Sequence, residues 1–514
     1  MELQAENIAL KTELAELKIL VKYYEEQLRL SKHRQFGASS EKSEYDFNQL
    51  NLFNETELVA DANTAEPELV EVEKHFRKRT RLTTDKLPDD LPVEIVEHKL
   101  PPSEQFCPEC DGALHVMGKE VRRELKLIPA KAVIVEHVKY VYACRDCERD
   151  SYGVPIVKAP MDEPVIKGSF ASPEAVAHIM HQKFVLGVPL YRQEQEWTRQ
   201  GILLSRQTMS NWLLRCSENY LEPVYVALKE IMLEYSSSLH ADETTLQVLR
   251  EPGKTAQAKS YMWLYRTSRY NRHGSQIDSP IVLCDYQPDR KALRPREFLA
   301  GWQGYLHTDG YAGYHTLPEE IVIVGCWAHA RRKFVEALKG MPEKDRQDSG
   351  ALVGKRYCDK LFAIEQDLSD LSPADRYLKR QEQAKPVLDE FRSWLQRQRL
   401  VKNAFGRAVH YTLDQWRYLE HYLLDGQLEI SNNRAERSIK PFVIDRKNFL
   451  FANTPRGAKA SAAMFSVIET AKECGLDSYA YLTHVFKNAP NLDLRNPNHL
   501  DILMPYHFKT VAAI

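Results

Sequence analysis

Between Ser236 and Phe334 the hydrophobic period of the chain changes from helical to strand-like, and this limits the fold more than any other feature. Five segments read as strands: SSSLHADETTLQVL, SYMWLYRTS, SPIVLCDYQ, GYLHTDGYAGYH and EIVIVGCWAHARRKF. A helix is expected from about Pro295 to Gly301, before the fourth, and another from near Trp327, after the fifth. Two strands end alike, in Leu239-His240-Ala241-Asp242 and in Leu306-His307-Thr308-Asp309. A carboxylate where an apolar strand leaves the core is costly unless it is exposed, paired or bound to a cation.

Three consecutive strands, then a helix and a further strand, is the order of the ribonuclease H-like fold, whose first and fourth strands lie side by side. That order would join Asp242 and Asp309 although they are 67 positions apart. Two like charges so close raise one pKa unless a divalent ion neutralises them. A pair of Mg²⁺ ions (or Mn²⁺) held by such acids can run an in-line phosphoryl transfer, and a third acid is then needed.

The stretch EISNNRAERSIKPFVIDRKNFLF, Glu429 to Phe451, supplies candidates. After the Gly426 turn, Ser431 or Asn432 can cap a helix that carries Glu436 one turn in, with Asn433 and Lys440 on neighbouring faces. Arg434, Arg437, Lys440, Arg446 and Lys447 surround that acid, as groups gripping DNA phosphates would. An ion pair between Glu436 and Lys440 is the plainer alternative.

The N-terminal segment carries a heptad seam. Position a falls on Asn7, Leu14, Val21 and Leu28, and position d on Leu3, Leu10, Leu17 and Tyr24. Asn7 in the seam and the pairs Glu6–Lys11 and Glu13–Lys18 fit a parallel dimer, and a lone amphipathic helix is the alternative. From Glu41 to Glu73 ten acids stand against one base, which reads as a flexible tether, and a cationic run from Lys74 to Arg81 follows. CPEC (Cys107, Cys110) and CRDC (Cys144, Cys147) are two knuckles with 33 residues between them. Four thiolates complete a structural Zn²⁺ site, and VRRELKLIPAKAVIVEHVKYVYAC reads as a hairpin joining the knuckles. From Ser172 to about Glu222 the pattern is helical, with a cap at Ser172, a stop at Gly201 and a restart capped by Ser205. This is a helix-turn-helix pattern with Arg206, Gln207, Thr208 and Ser210 at the DNA-reading end, although a helical hairpin without DNA looks the same.

At 514 residues the chain is long enough for several domains, and its formal charge of −2 hides the local polarity described above. Nine cysteines, four of them in two close pairs, fit a reducing compartment with a metal site better than a disulfide framework. No apolar run is long enough for a bilayer and no signal-peptide core opens the chain, so an intracellular protein is expected.

Taken in order, the zipper start, RQFGASSEKSE, CPEC and CRDC, HADET, TDGYAGY, CWAHARRKF, LEISNNRAERSIKP and RKNFLFA resemble the large, TnpC-type transposase of the insertion sequence 66 group of bacterial mobile elements. The resemblance implies a DDE transposase with Asp242, Asp309 and Glu436 as metal ligands, and a helical insertion between the second and third acids. Ser431 stands where the family commonly has Asp, which strengthens Glu436 and leaves Glu429 as the runner-up. Cys326 and His329 form a C-x-x-H step for which a packing or helix-start role is expected, with no matching ligand pair nearby. Also implied are a synaptic assembly of two or more chains on the terminal repeats and target DNA, two small accessory proteins, and a cytoplasmic, nucleoid-associated setting.

The expected architecture is multidomain α+β. It has a coiled coil (1–43), an acidic linker with a basic run (44–90), a zinc-binding β module (91–165) and a helix-turn-helix region (166–234). A ribonuclease H-like core follows (235–330, resuming at 428–485), interrupted by the helical insertion (331–427), and a C-terminal segment closes the chain (486–514). A DNA-binding regulator with a silent core, or a structure-specific nuclease, would share much of this layout.

Overall fold

The computed structural model describes residues 132–143, 156–399 and 402–508, together with Val21, Tyr24, Glu25 and Leu28. It divides into two compact units, residues 39–159 and the rest of the chain. In the smaller unit, β1 (Val141–Ala143) pairs antiparallel with β2 (Ile156–Lys158). Residues 132–140 have no regular structure, and among the described residues β1 takes its partner from beyond the second knuckle; the first half of the expected hairpin lies outside the described residues. The four knuckle cysteines, the acidic tether and most of the heptad seam lie outside the described residues. Val21, Tyr24 and Leu28, three seam positions, are helical and exposed.

The larger unit opens with three helices whose ends follow their sequence signals. α1 (Pro173–Phe184) is capped by Ser172, whose Oγ accepts the Ala175 N–H at 3.0 Å. α2 (Leu190–Arg199) gives way to Gly201 at φ +78°, a conformation that suits glycine. α3 (Arg206–Cys216) is capped by Ser205, which accepts from Thr208 N–H at 3.1 Å. One wide π turn, Ser217–Leu221, then leads into α4 (Glu222–Tyr235).

The sheet holds β3 (Ser238–Gln247), β4 (Lys259–Thr267), β5 (Val282–Gln287), β6 (Gly304–His307) and β7 (Ile321–Val324) in the order β5-β4-β3-β6-β7. The first three strands are antiparallel neighbours, whereas β6 runs parallel to β3 and β7 parallel to β6. α5 (Leu293–Phe298) lies in the crossover from β5 to β6. His240 and His307 are therefore partners across two adjacent strands, and the acid two residues after each sits at the same end of the sheet.

Beyond β7 come α6 (Trp327–Lys339), α7 (Gly350–Asp367), α8 (Pro373–Lys379), α9 (Lys385–Gln396), α10 (Ala404–Asp414) and α11 (Trp416–Glu420). They build a core of their own around Trp327, Phe334, Leu361, Phe391 and Trp416. Arg380, buried there, is satisfied by Glu365 at 2.6 Å and by the carbonyls of Tyr422, Asp425 and Leu428.

The chain then returns to the sheet with α12 (Asn433–Phe449), α13 (Pro455–Glu473), α14 (Ser478–Asn488) and α15 (Pro497–Asp501). α13 covers the edge strand β5. Its Thr470 Oγ1 and Ser466 Oγ accept the Val282 and Cys284 N–H groups at 3.0 and 2.7 Å, closing an edge that would otherwise invite another strand. α14 packs on α1, and one apolar core runs from the N-terminal helices through the sheet to Met504.

α12 ends unusually. Leu450 has φ 65° and ψ −49°, and Phe451 N–H donates to Phe449 O at 2.8 Å, the positive-φ form of the γ-turn. Among the described residues it is the only non-glycine at positive φ, a conformation that costs a leucine about 1–3 kcal/mol. Ala452 and Asn453 then bond alongside the far end of β3, through Gln247 O, Leu249 N–H and Arg250 N–H.

Candidate active site

Asp242 lies in β3 and its Oδ1 accepts the Glu243 N–H at 2.8 Å. Burial raises its carboxyl well above the usual 3.8, and the charges of Glu243, Asp309 and Glu436 raise it further. Asp309 and Glu436 are thus close enough for their charges to act on Asp242 in a partly buried place, although the three carboxylates are not all within 4.8 Å of one another.

Asp309 follows β6 directly. Its Oδ1 accepts the Tyr311 N–H at 2.9 Å, and its backbone carbonyl accepts the Tyr411 hydroxyl, from α10, at 3.0 Å. Gly310 is required at the next position. It has φ +92°, and a Cβ there would come within 2.9 Å of Gln415 Oε1. The helices between β7 and α12 therefore touch the second acid.

Glu436 stands in the first turn of α12, and its ion-pair partners come from α6: Arg332 at 3.2 Å and His329 at 3.5 Å. Lys440 forms no ion pair with it among the described residues, so the local i,i+4 pair is not what holds this acid. Cys326, His329 and Glu436 bring one ligand atom each to within 4.8 Å of one another, so a single acid joins the C-x-x-H step, and no matching pair of ligands does among the described residues. Arg332 also faces His329 Nε2 at 3.2 Å. A guanidinium can only donate, so Nε2 accepts and the ring proton sits on Nδ1, toward Glu436. Burial lowers the His329 pKa, which agrees with a neutral ring. Arg332 thus holds Glu436 Oε2, while His329 Nδ1 and the buried Glu436 Oε1 face each other at 3.5 Å, too far for a hydrogen bond, and neither has another hydrogen-bond partner.

Glu429, the runner-up, pairs with Arg434 and lies 3.9 Å from His240 Nε2. Its charge is not among those raising Asp242.

Two residues have roles here that the sequence did not show. Asn432 precedes α12, but its side chain does not cap the helix. It is 1% exposed, accepts from His240 Nδ1 at 2.9 Å and donates to Ala241 O at 2.8 Å. Its backbone N–H reaches Cys326 Sγ at 3.1 Å. One side chain thus joins the start of the Glu436 helix to the strand bearing Asp242. Its sequence signal was that of a helix cap, a role that the side chain does not take. Glu243 is the other: buried, it accepts from Tyr314 OH and Arg290 Nε, both at 2.7 Å, and so ties β3 to the segment after Asp309. Behind the acids, the His240 and His307 rings stack with centroids 4.3 Å apart, and burial holds both well below the usual histidine pKa.

The cations singled out in sequence differ in their engagements. Arg434 is paired with Glu429, and Arg446 donates to Thr244 Oγ1, Thr245 Oγ1 and Thr245 O of β3. Arg437 and Lys447 are exposed, and Lys440 is half-buried. At the start of α3, Arg206 and Gln207 are exposed, with the Arg206 guanidinium 5.6 Å from the Tyr191 ring centroid. Thr208 and Ser210 are half-buried, and Thr208 Oγ1 bonds Ser205 Oγ at 2.9 Å.

Among the described residues no helix is long and apolar enough to cross a membrane. Residues 104–148, which contain all four knuckle cysteines, match the zinc-finger binding domain of transposase IS66. Residues 23–96 match a family described as Transposase C of IS166 homeodomain, and residues 466–506 match the IS66 C-terminal element. Two proteins of Sinorhizobium fredii, both described as uncharacterized, are similar along most of the chain. y4jD is 30% identical over 437 residues, 82% of this chain and 81% of its own. y4hP is 30% identical over 445 residues, 83% and 77% respectively. Residues 168–460, which span the sheet, the three acids and the helices between them, match the Transposase IS66 family, and the chain belongs to that family of insertion-element transposases.

Proposed function

We propose that the sheet is a ribonuclease H-like core in which Asp242, Asp309 and Glu436 hold divalent metal, Mg²⁺ or Mn²⁺, for cleavage of element ends and strand transfer into target DNA. The strand order β5-β4-β3-β6-β7, with β3 and β6 parallel, supports the core assignment. The observation that carries the reading is the placement of Asp242 and Asp309 at the same end of two adjacent parallel strands, with Asp309 and Glu436 both near enough for their charges to raise the Asp242 carboxyl. A buried Glu436 oxygen without a donor, in a cluster of carboxylates, fits a cation as its natural partner.

When bound, divalent ions supply activation of water or a 3′-hydroxyl and neutralise charge on the scissile phosphate. The chain's own residues then have separable tasks. Tyr411 fixes the backbone at Asp309, Arg332 and His329 orient Glu436, and Asn432 sets its helix against β3. Arg437, Lys440 and Lys447 face DNA phosphates, joined by Arg434 and Arg446 when DNA displaces their internal partners. Arg206, Gln207, Thr208 and Ser210 read the element ends from α3. Cys107, Cys110, Cys144 and Cys147 hold structural Zn²⁺. The seam residues Val21, Tyr24 and Leu28, exposed in a single chain, serve a dimer within the synaptic assembly. Two accessory proteins of the element complete it on nucleoid DNA in the bacterial cytoplasm.

The test uses the DNA flanking the gene as donor, a plasmid target and Mg²⁺. The wild-type chain is expected to join donor ends to the target, whereas Asp242→Asn, Asp309→Asn and Glu436→Gln bind the ends and join none. Retained joining in any of the three sinks the assignment. End binding with no joining by the wild-type chain returns the protein to a regulator, and cutting without end preference makes it a nuclease.

A further inference from the structure

The strained turn at Leu450 is not explained by packing. Leu450 is 64% exposed and Phe451 42% exposed, so neither large side chain is drawn into the core. The turn is nevertheless fixed on both sides. Arg446, one helical turn earlier, is bonded to Thr244 and Thr245, and Ala452 and Asn453 are bonded to the end of β3. The result is a rigid tip of two apolar side chains.

The surroundings of the tip are cationic. The exposed Lys447 and Arg250 flank the turn in chain and in pairing, whereas of the other bases up to Lys459, Arg446 is bonded to β3 and Arg456 is paired with Glu218. Apolar side chains presented rigidly within a basic field are complementary to DNA. Phosphates meet the cations, and the apolar pair meets the face of a base.

Two independent rulers place the tip. Fourteen helical residues separate Glu436 from Leu450, about 21 Å at 1.5 Å per residue. Six strand residues separate Asp242 from Val248, the bridge partner of Ala452, about 20 Å. Along B-DNA that distance is about six base pairs.

We propose that Leu450 and Phe451 form a wedge that enters the DNA stack about six base pairs from the scissile phosphate and unstacks a base there. The location rests on the reading of Asp242, Asp309 and Glu436 as the catalytic centre, whereas the unstacking is read without catalysis.

The test uses the full, zinc-loaded chain and duplexes of the element end with 2-aminopurine placed, in turn, two to ten base pairs from the cut. The wild-type chain is expected to raise fluorescence several-fold at one or two positions centred near six. Phe451→Ala and Leu450→Gly abolish the rise and lower end affinity about tenfold, the worth of one base stack. Leu450→Gly also melts higher than wild type, because glycine accepts the turn without strain, so misfolding cannot account for its loss. Asp242→Asn keeps the rise yet joins no DNA, which separates failure of the wedge from failure of the catalytic reading. The wedge is overturned by a flat response at every position, by a rise confined to the cleaved step, or by variants that keep the signal.

Discussion

Replacing Asn432 with alanine removes the buried side chain that ties the start of the Glu436 helix to the Asp242 strand, while Arg446 still holds the other end of that helix to Thr244 and Thr245. Two hydrogen bonds disappear, to His240 Nδ1 and to Ala241 O, and the site is 1% exposed, so water does not replace them. Each bond contributes about 1 kcal/mol net, and a buried donor left without a partner costs about 1–3 kcal/mol. The loss should therefore be about 3–5 kcal/mol, or roughly 4–6 °C in melting temperature for a unit of this size at about 2.1 cal/mol/K of unfolding entropy per residue. Asn433 is the internal control. It is half-buried and makes no side-chain hydrogen bond among the described residues, so Asn433→Ala should lie within about 0.5 kcal/mol of wild type. Differential scanning calorimetry of the zinc-loaded chain in buffer without added divalent ion reads both variants. If Asn432→Ala melts with wild type, or if the two asparagines cost the same, the bridging role is wrong.

Asp242→Asn should stabilise the metal-free chain at neutral pH. The wild-type carboxyl is raised in the folded state, so the unfolded chain ionises first as pH rises above 3.8, and native stability falls from there up to the folded pKa. The advantage of the variant should vanish near pH 4, and Mg²⁺ should raise the melting temperature of wild type and not of the variant. Tyr411→Phe removes only the hydroxyl that holds the Asp309 carbonyl. It should cost about 1 kcal/mol of stability while raising several-fold the Mg²⁺ concentration needed for half-maximal DNA joining. An unchanged Mg²⁺ requirement would leave Tyr411 a packing residue only.

The strands were legible because SYMWLYRTS and SPIVLCDYQ are short apolar runs rich in aromatic and β-branched residues, as continuously buried strands are. The helix caps at Ser172 and Ser205 were legible because capping is local chemistry. The pairing of β3 with β6 could be anticipated only from strand order, since no local signal joins positions 67 residues apart. What sequence could not supply was the set of contacts made across the fold. Asn432 looks like a cap and instead bridges to β3, and Glu436 looks like the partner of Lys440 and instead meets Arg332 and His329. The helices between β7 and α12 read in sequence only as an insertion, yet Tyr411 and Arg332 reach two of the three acids. Glu243 was passed over because alternation sends it to the opposite side of β3 from Asp242, where only the folded chain brings Tyr314 and Arg290 to it.

The most direct test of the shared metal site is calorimetric titration of Mn²⁺ into the zinc-loaded chain and four variants. Asp242→Asn, Asp309→Asn and Glu436→Gln are each expected to weaken binding at least about tenfold, as loss of a charged ligand does, while Glu429→Gln leaves it unchanged. Wild-type affinity in Glu436→Gln, or its loss in Glu429→Gln, would contradict the account.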